Sequence, residues 1–201
     1  MMYLFLFPIA FAASNLSKMS QTFPTFPYHA DAKKSFEENS EESCACCNKK
    51  RGYIYNGPMF GDFDEDPSIC PWCIKDGSAC ERLGVELVSD IKSGDDSEVL
   101  ELSREFSKCT PGFYSWQESV WWAHCGEPAV YHGMGGKNQI ETIGGEDGLA
   151  YFRGLAEEEF GVETEEEQDE FLSNCGEDFD GTAYIFKCRK CGSCGGNIDF
   201  N

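Results

Sequence analysis

The sequence predicts an α+β fold: a treble-clef-like module near the N-terminal end, then a mixed helical part that closes on a second cysteine knuckle. Three observations carry this expectation. Two Cys-x-x-Cys pairs, Cys44/Cys47 and Cys70/Cys73, flank a β-rich stretch, and the second pair opens a helical segment. Capping signals such as Thr164 with Glu167 mark helices in the later half. A strand-like run, "AYIFK", then feeds a third pair, Cys188/Cys191, extended by Cys194.

The elements follow in order. Residues 1–22 read as a leader. "MMYLFLFPIAFAAS" is apolar and ends in an Ala-x-Ala-like site at Ala10 and Ala12. It is shorter than the roughly 20 residues a membrane span needs, and its first basic residue is Lys18. Translation from Met19 is the favoured reading, and a secretory signal the alternative. Residues 23–88 form the first module. "TFPTFPYHAD" is expected to be extended by Pro24 and Pro27, and residues 32–43 are expected to be a polar connector. Tyr53, Ile54 and Tyr55, the turn at Asn56-Gly57-Pro58 and then Met59-Phe60 predict a hairpin. A short helix is expected to start at the second pair.

Residues 89–201 form the later part, expected to pack as one unit with the first. Residues 89–98 resemble a linker. A helix is predicted with Val99, Leu102 and Phe106 on one face, ended by Thr110-Pro111-Gly112. A second helix is predicted from Ser115, with Glu118 in capping-box spacing, through "SVWWAHC", so that Trp116, Trp121 and Trp122 pack into the core. A glycine-rich loop over Gly133 to Gly136, a helix over 146–160, a capped helix from Thr164 to Leu172 and the final strand complete the chain.

Composition narrows the function. The chain has 201 residues, 41% of them hydrophobic and 14% aromatic, enough for a core. Its net charge of −20 repels phosphate backbones and anionic lipid, which argues against nucleic-acid binding. "KKR" at 49–51 is a short basic cluster against that background.

The twelve cysteines carry the chemistry. Zinc takes four thiolates tetrahedrally, and Cys-x-x-Cys lets two adjacent sulfurs reach one ion from a tight turn. Cys44, Cys47, Cys70 and Cys73 therefore predict one closed, structural zinc site, the treble-clef or zinc-ribbon-like core. Cys46 is a spare thiol and Cys80 a small buried residue. A second zinc site would combine Cys188 and Cys191 with partners drawn from Cys125, His124, His132, Cys194 and Cys109. Cys109 and Cys175 read as buried thiols. No Walker, Rossmann, nucleophile-elbow or H-E-x-x-H pattern is present, so the reading is non-enzymatic.

"PTFPYHAD" (24–31), "CACCNKKRGYIYNGPMF" (44–60), "CPWCIKDGSA" (70–79), "TPGFYSWQESVWWAHCGEPAVYHG" (110–133) and "AYIFKCRKCG" (183–192) occur in the order of the CbrC family, which the chain resembles. These are small, mostly bacterial proteins carrying a colicin-tolerance label. The resemblance implies a cytoplasmic, zinc-bearing protein with no catalytic residues to carry over, and it supports Met19 as the start. It also implies a further cysteine four residues after Cys125; here that position is Ala129, which leaves Cys194 or His132 to substitute. The expected role is interaction with a protein partner, linked to stress or toxin tolerance. The alternative is a thiol redox enzyme or sensor using the Cys-x-x-Cys pairs or Cys46. Secretion as a disulfide protein would follow if residues 1–18 were a true signal.

Overall fold

The computed structural model describes residues 22–95, 102–115, 119–176 and 180–200. Residues 1–21 of the leader, Met19 among them, and Val99, Trp116 and Glu118 lie outside those residues. Proline keeps Phe23 to Tyr28 out of regular ladders, and a parallel bridge between His29 and Tyr131 docks this segment on the later part. The expected connector holds structure: a 3-10 turn over Ala32–Ser35 and strand β1, Phe36–Asn39. β1 pairs antiparallel with β2, Gly52–Tyr55, joining Phe36 to Tyr55. The predicted hairpin between Tyr53–Tyr55 and Met59–Phe60 does not form. Pro58 has no N–H to donate to a ladder, and its carbonyl instead accepts from the Tyr55 hydroxyl at 3.0 Å. Phe60 pairs with Glu86.

Two short helices follow, α1 over Pro71–Lys75 and α2 over Ser78–Leu83. Gly77 separates them with a left-handed φ of 78°, a conformation nearly free of cost only for glycine. The first core gathers Phe26, Phe36, Tyr55, Ile69, Ile74 and Leu87.

The predicted linker contains a strand, β3, over Asp90–Ser93. Helix α3, Arg104–Cys109, begins where the Ser103 hydroxyl accepts from the Phe106 N–H at 3.1 Å. Phe106 is buried as expected, but Leu102 precedes the helix and is 40% exposed. The helix expected through Trp121 and Trp122 is instead strand β4, Val120–His124. β4 lies between β3, to which it is parallel, and β5, Glu127–Pro128. Adjacent residues of a strand face opposite ways, and here both faces are covered. Trp121 enters an aromatic core with Phe106, Phe113 and Phe186, and its ring N–H reaches Ala129 O at 2.8 Å. Trp122 faces the other way, donating to the Tyr151 hydroxyl at 3.0 Å. A short apolar run buried on both faces has no helical or alternating signature to separate it from a helix. Its core role agrees with the expectation; its secondary structure does not.

The expected glycine loop is largely strand: β6 covers Val130–Gly135. Helix α4, Lys137–Phe160, starts well before residue 146 and is interrupted at Gly145, whose φ is 62°. Helix α5, Glu165–Ser173, carries the full capping box between Thr164 and Glu167. β6 then pairs antiparallel with β7, Gly181–Lys187, and β7 with β8, Cys194–Phe200. α4 lies across this sheet, burying Ile140, Phe152, Ala183, Ile185 and Ile198 in a third core. Among the described residues no helix is long and apolar enough to cross a membrane.

Candidate metal centres

Among the described residues, two groups of four donors converge. In the first, the chain turns tightly at Cys44. Its N–H donates to Lys49 O at 3.1 Å, its carbonyl accepts from Asn48 N–H at 2.7 Å, and Asn48 adopts a left-handed φ of 55°. Cys70 stands at the start of α1, with Pro71 in the first turn and the Cys73 N–H donating to Cys70 O at 3.1 Å. The Cys70 N–H also points at Cys44 Sγ, 3.3 Å away. Cys47 Sγ and Cys70 Sγ are 3.9 Å apart, and all four sulfurs of Cys44, Cys47, Cys70 and Cys73 lie within 4.8 Å of one another. A tetrahedron with metal–sulfur bonds of about 2.3 Å has edges of about 3.8 Å, so the four fit around one ion.

The electrostatics lead the same way. The hydrogen bond with Cys70 holds the Cys44 thiol down to about 4 and pushes Cys70 up, while burial pushes Cys73 up to about 12. One thiolate is favoured and its buried neighbours resist ionising, an imbalance that a bound cation relieves. Cys46 stands outside the four; its thiol donates to Ser78 Oγ at 3.3 Å. Cys80 is only half-buried and donates to Lys108 O at 3.3 Å.

The second group joins segments far apart in sequence: His124, Cys125, Cys188 and Cys191. β4 and β5 pair His124 with Glu127, so Cys125 and Gly126 form a two-residue tip, with φ of 56° and 76°. Positive φ at both positions is the geometry that matches strand twist. Between β7 and β8 the chain repeats the Cys44 turn. Cys188 N–H donates to Ser193 O at 2.8 Å, Gly192 N–H donates to Cys188 O at 3.0 Å, and Gly192 has φ of 81°.

Cys125 Sγ is 3.7 Å from Cys191 Sγ, and His124 Nδ1 is 3.2 and 3.4 Å from those two sulfurs. Mixed nitrogen and sulfur edges of a zinc tetrahedron are about 3.6 Å. The other ring nitrogen, Nε2, lies 3.6 Å from Asp95 Oδ2, and that oxygen accepts the Cys125 N–H at 2.9 Å. A carboxylate behind a histidine orients the ring toward a metal. Hydrogen bonding with Ser193 holds the exposed Cys191 thiol down to about 6, and the bond between Cys191 and Cys125 pushes Cys125 up to about 11. The donor set, thiolates with one imidazole, suits a borderline-soft ion such as zinc.

The remaining expected candidates fall elsewhere. Cys194 is buried in β8 with its sulfur against Gly144 and Gly148 of α4, outside the second group. His132 lies on β6, in neither group. Ala129 is fully buried, and His124 completes the four. Cys109 and Cys175 are buried thiols. Asp95 was not legible as a site residue, since a lone aspartate in "SGDDSE" carries no spacing signal.

Fold and site together define a cysteine-rich α+β protein with two candidate metal centres of four donors each. The model of the Uncharacterised protein family (UPF0167) matches residues 23–200, and the chain belongs to that family. It is similar to UPF0167 protein Mb2317 of Mycobacterium bovis, 31% identical over 174 residues, which is 86% of this chain and 90% of the relative. UPF0167 protein MT2352 of Mycobacterium tuberculosis matches to the same extent. UPF0167 protein PA1536 of Pseudomonas aeruginosa is 36% identical over 134 residues, 66% of this chain and 74% of the relative. No solved structure matches.

Proposed function

We propose that this chain is a zinc protein without catalytic machinery of its own, acting in the cytoplasm through contact with a protein partner. Cys44, Cys47, Cys70 and Cys73 form a closed, treble-clef-like structural site in the module of residues 23–88. His124, Cys125, Cys188 and Cys191 form a second site that staples the later part. The observation that carries this reading is the recurrence of one turn, with the same pair of hydrogen bonds, beneath Cys44 and Cys188. Each turn presents its thiols to a second pair at tetrahedral spacing. The CbrC resemblance supports a role in stress or toxin tolerance. Metal analysis of the protein purified under reducing conditions is expected to give about two zinc ions per chain; less than about one would sink the structural reading.

One observation favours a second reading, a thiol redox sensor at the second centre. Cys191 is exposed, and its sulfur is 3.7 Å from that of Cys125. The buried Cys70 and Cys73, pushed up in pKa, are poorly placed for thiolate attack. Alkylation separates the two readings. A structural second centre protects Cys125 and Cys191 until a chelator is added, whereas a sensor leaves them reactive beforehand and joins them in a reversible disulfide.

A further inference from the structure

Three phenylalanines from three elements meet at the surface where α4, α5 and β8 end. The ring centres of Phe160, Phe171 and Phe200 are 5.2, 5.2 and 5.6 Å apart, so each ring lies against the other two. Phe171 and Phe200 are half-buried and pack on the third core. Phe160 packs on those two rings and is 39% exposed. Apolar side chains exposed singly are ordinary, but an aromatic group assembled from distant segments is the kind of surface proteins use for contact.

The charge around this patch has one sign. Helix α4 ends on Glu157, Glu158 and Glu159 before Phe160, with no basic residue in that last turn. A helix C-terminus favours cations, so these carboxylates work against the helix that carries them. Glu165, Glu166 and Glu167 differ, because they open α5, where the same dipole favours them. Lys92 meets Glu159 at 2.6 Å. Among the described residues no cation pairs with Glu157, Glu158 or Glu163. Glu157 lies one helical turn before Phe160, which sets its carboxylate beside that ring. Glu163 is exposed in the short connection between the two helices. Helix stability therefore does not account for Glu157 and Glu158, whereas a cationic partner would.

We propose that this patch docks a basic, amphipathic segment of a partner protein. The segment's apolar anchors cover Phe160, and its lysines and arginines meet Glu157, Glu158 and Glu163. This rests on the reading above that the chain acts through a protein partner, and adds the surface and the partner's chemistry. The net charge of −20 speeds the approach of a cationic segment. A second copy of the chain is disfavoured at the same place, because it would bring glutamates onto glutamates.

Fluorescence anisotropy with the full chain tests this. The probe is a dye-labelled peptide of about 15 residues, its leucines and lysines patterned to give one apolar face. A scrambled peptide of the same composition controls for charge alone. Saturable binding is expected at physiological ionic strength, with the scrambled peptide about tenfold weaker. Phe160→Ser should weaken the patterned peptide about tenfold and leave the scrambled one unchanged. Glu157→Gln with Glu163→Gln should weaken the patterned peptide about threefold. Asp62→Asn with Asp64→Asn removes equal charge from an exposed loop of the first module and should leave that binding unchanged.

Near-UV circular dichroism checks that the variants are folded, and the glutamate pair keeps the test open if Phe160→Ser is not. Absence of saturable binding, equal binding of the two peptides, or equal loss from the loop pair would overturn the proposal. So would sedimentation showing that Phe160 holds two copies of the chain together. Binding undiminished in both folded patch variants overturns this surface and leaves the partner reading standing. That reading is struck separately, by Cys125 and Cys191 proving reactive and joining in a reversible disulfide.

Discussion

Asp95 shows how much a single residue behind the donors can decide. Its carboxylate lies 3.6 Å from His124 Nε2 and accepts the Cys125 N–H at 2.9 Å, so it fixes the backbone of one donor and stands behind the ring of the next. Asp95→Asn is expected to lower zinc affinity at the second centre by about 10- to 100-fold and to leave the first unchanged; competition with a chromophoric chelator reads both. His29 makes a second residue-scale case, with a definite sign. Its folded pKa is depressed to about 4 from an ordinary value of 6.5, so between those pH values the unfolded chain binds the proton and the folded chain does not. Stability from this group is therefore complete above about pH 6.5, falls as pH drops toward about 4, and levels off below. Denaturant unfolding at pH 7 and pH 5 is expected to show a loss about 2 kcal/mol larger in the parent than in His29→Gln. Equal losses would refute it.

At the scale of elements, sequence signals succeeded where the responsible bonds were local. The Thr164–Glu167 box predicted the start of α5, and both halves of the box are present. Thr164→Ala is expected to destabilise the protein by about 1 kcal/mol, read as a shift in denaturant midpoint with an unchanged slope. The turns at Cys44 and Cys188 were legible for the same reason, since their bonds close within five residues. β4 was not legible as a strand. Whether "VWWAH" becomes helix or strand depends on β3 on one side and β5 on the other, partners that no local pattern names. Likewise β1 captured β2 from the expected hairpin, because Phe36 offered Tyr55 an aromatic partner, with ring centres 5.5 Å apart. The Asn56-Gly57-Pro58 turn could not extend a ladder.

For the whole molecule, charge and cross-linking act together. A net charge of −20 makes the folded chain repel itself, and two bound ions would tie residues 44 to 73 and 124 to 191 against that repulsion. Screening should help in proportion. Thermal unfolding is expected to shift upward by several degrees from low to physiological ionic strength in sodium chloride. A flat response would show that the acidic residues are already neutralised pairwise.

The sequence by itself determined the acidic charge, the mixed α+β class, the Cys-x-x-Cys turns and the helix caps. Each depends on composition or on bonds within a few residues. Tertiary structure decided which pairs meet. It brought the β4–β5 tip over the Cys188 turn, made His124 the fourth donor, and buried Cys194 against α4. It also gathered Phe160, Phe171 and Phe200 into one patch. Those outcomes depend on strands packed on both faces and on helices laid across a sheet. Contacts of that kind join segments far apart in the chain, 66 residues for Cys125 and Cys191, and leave no mark on either segment alone.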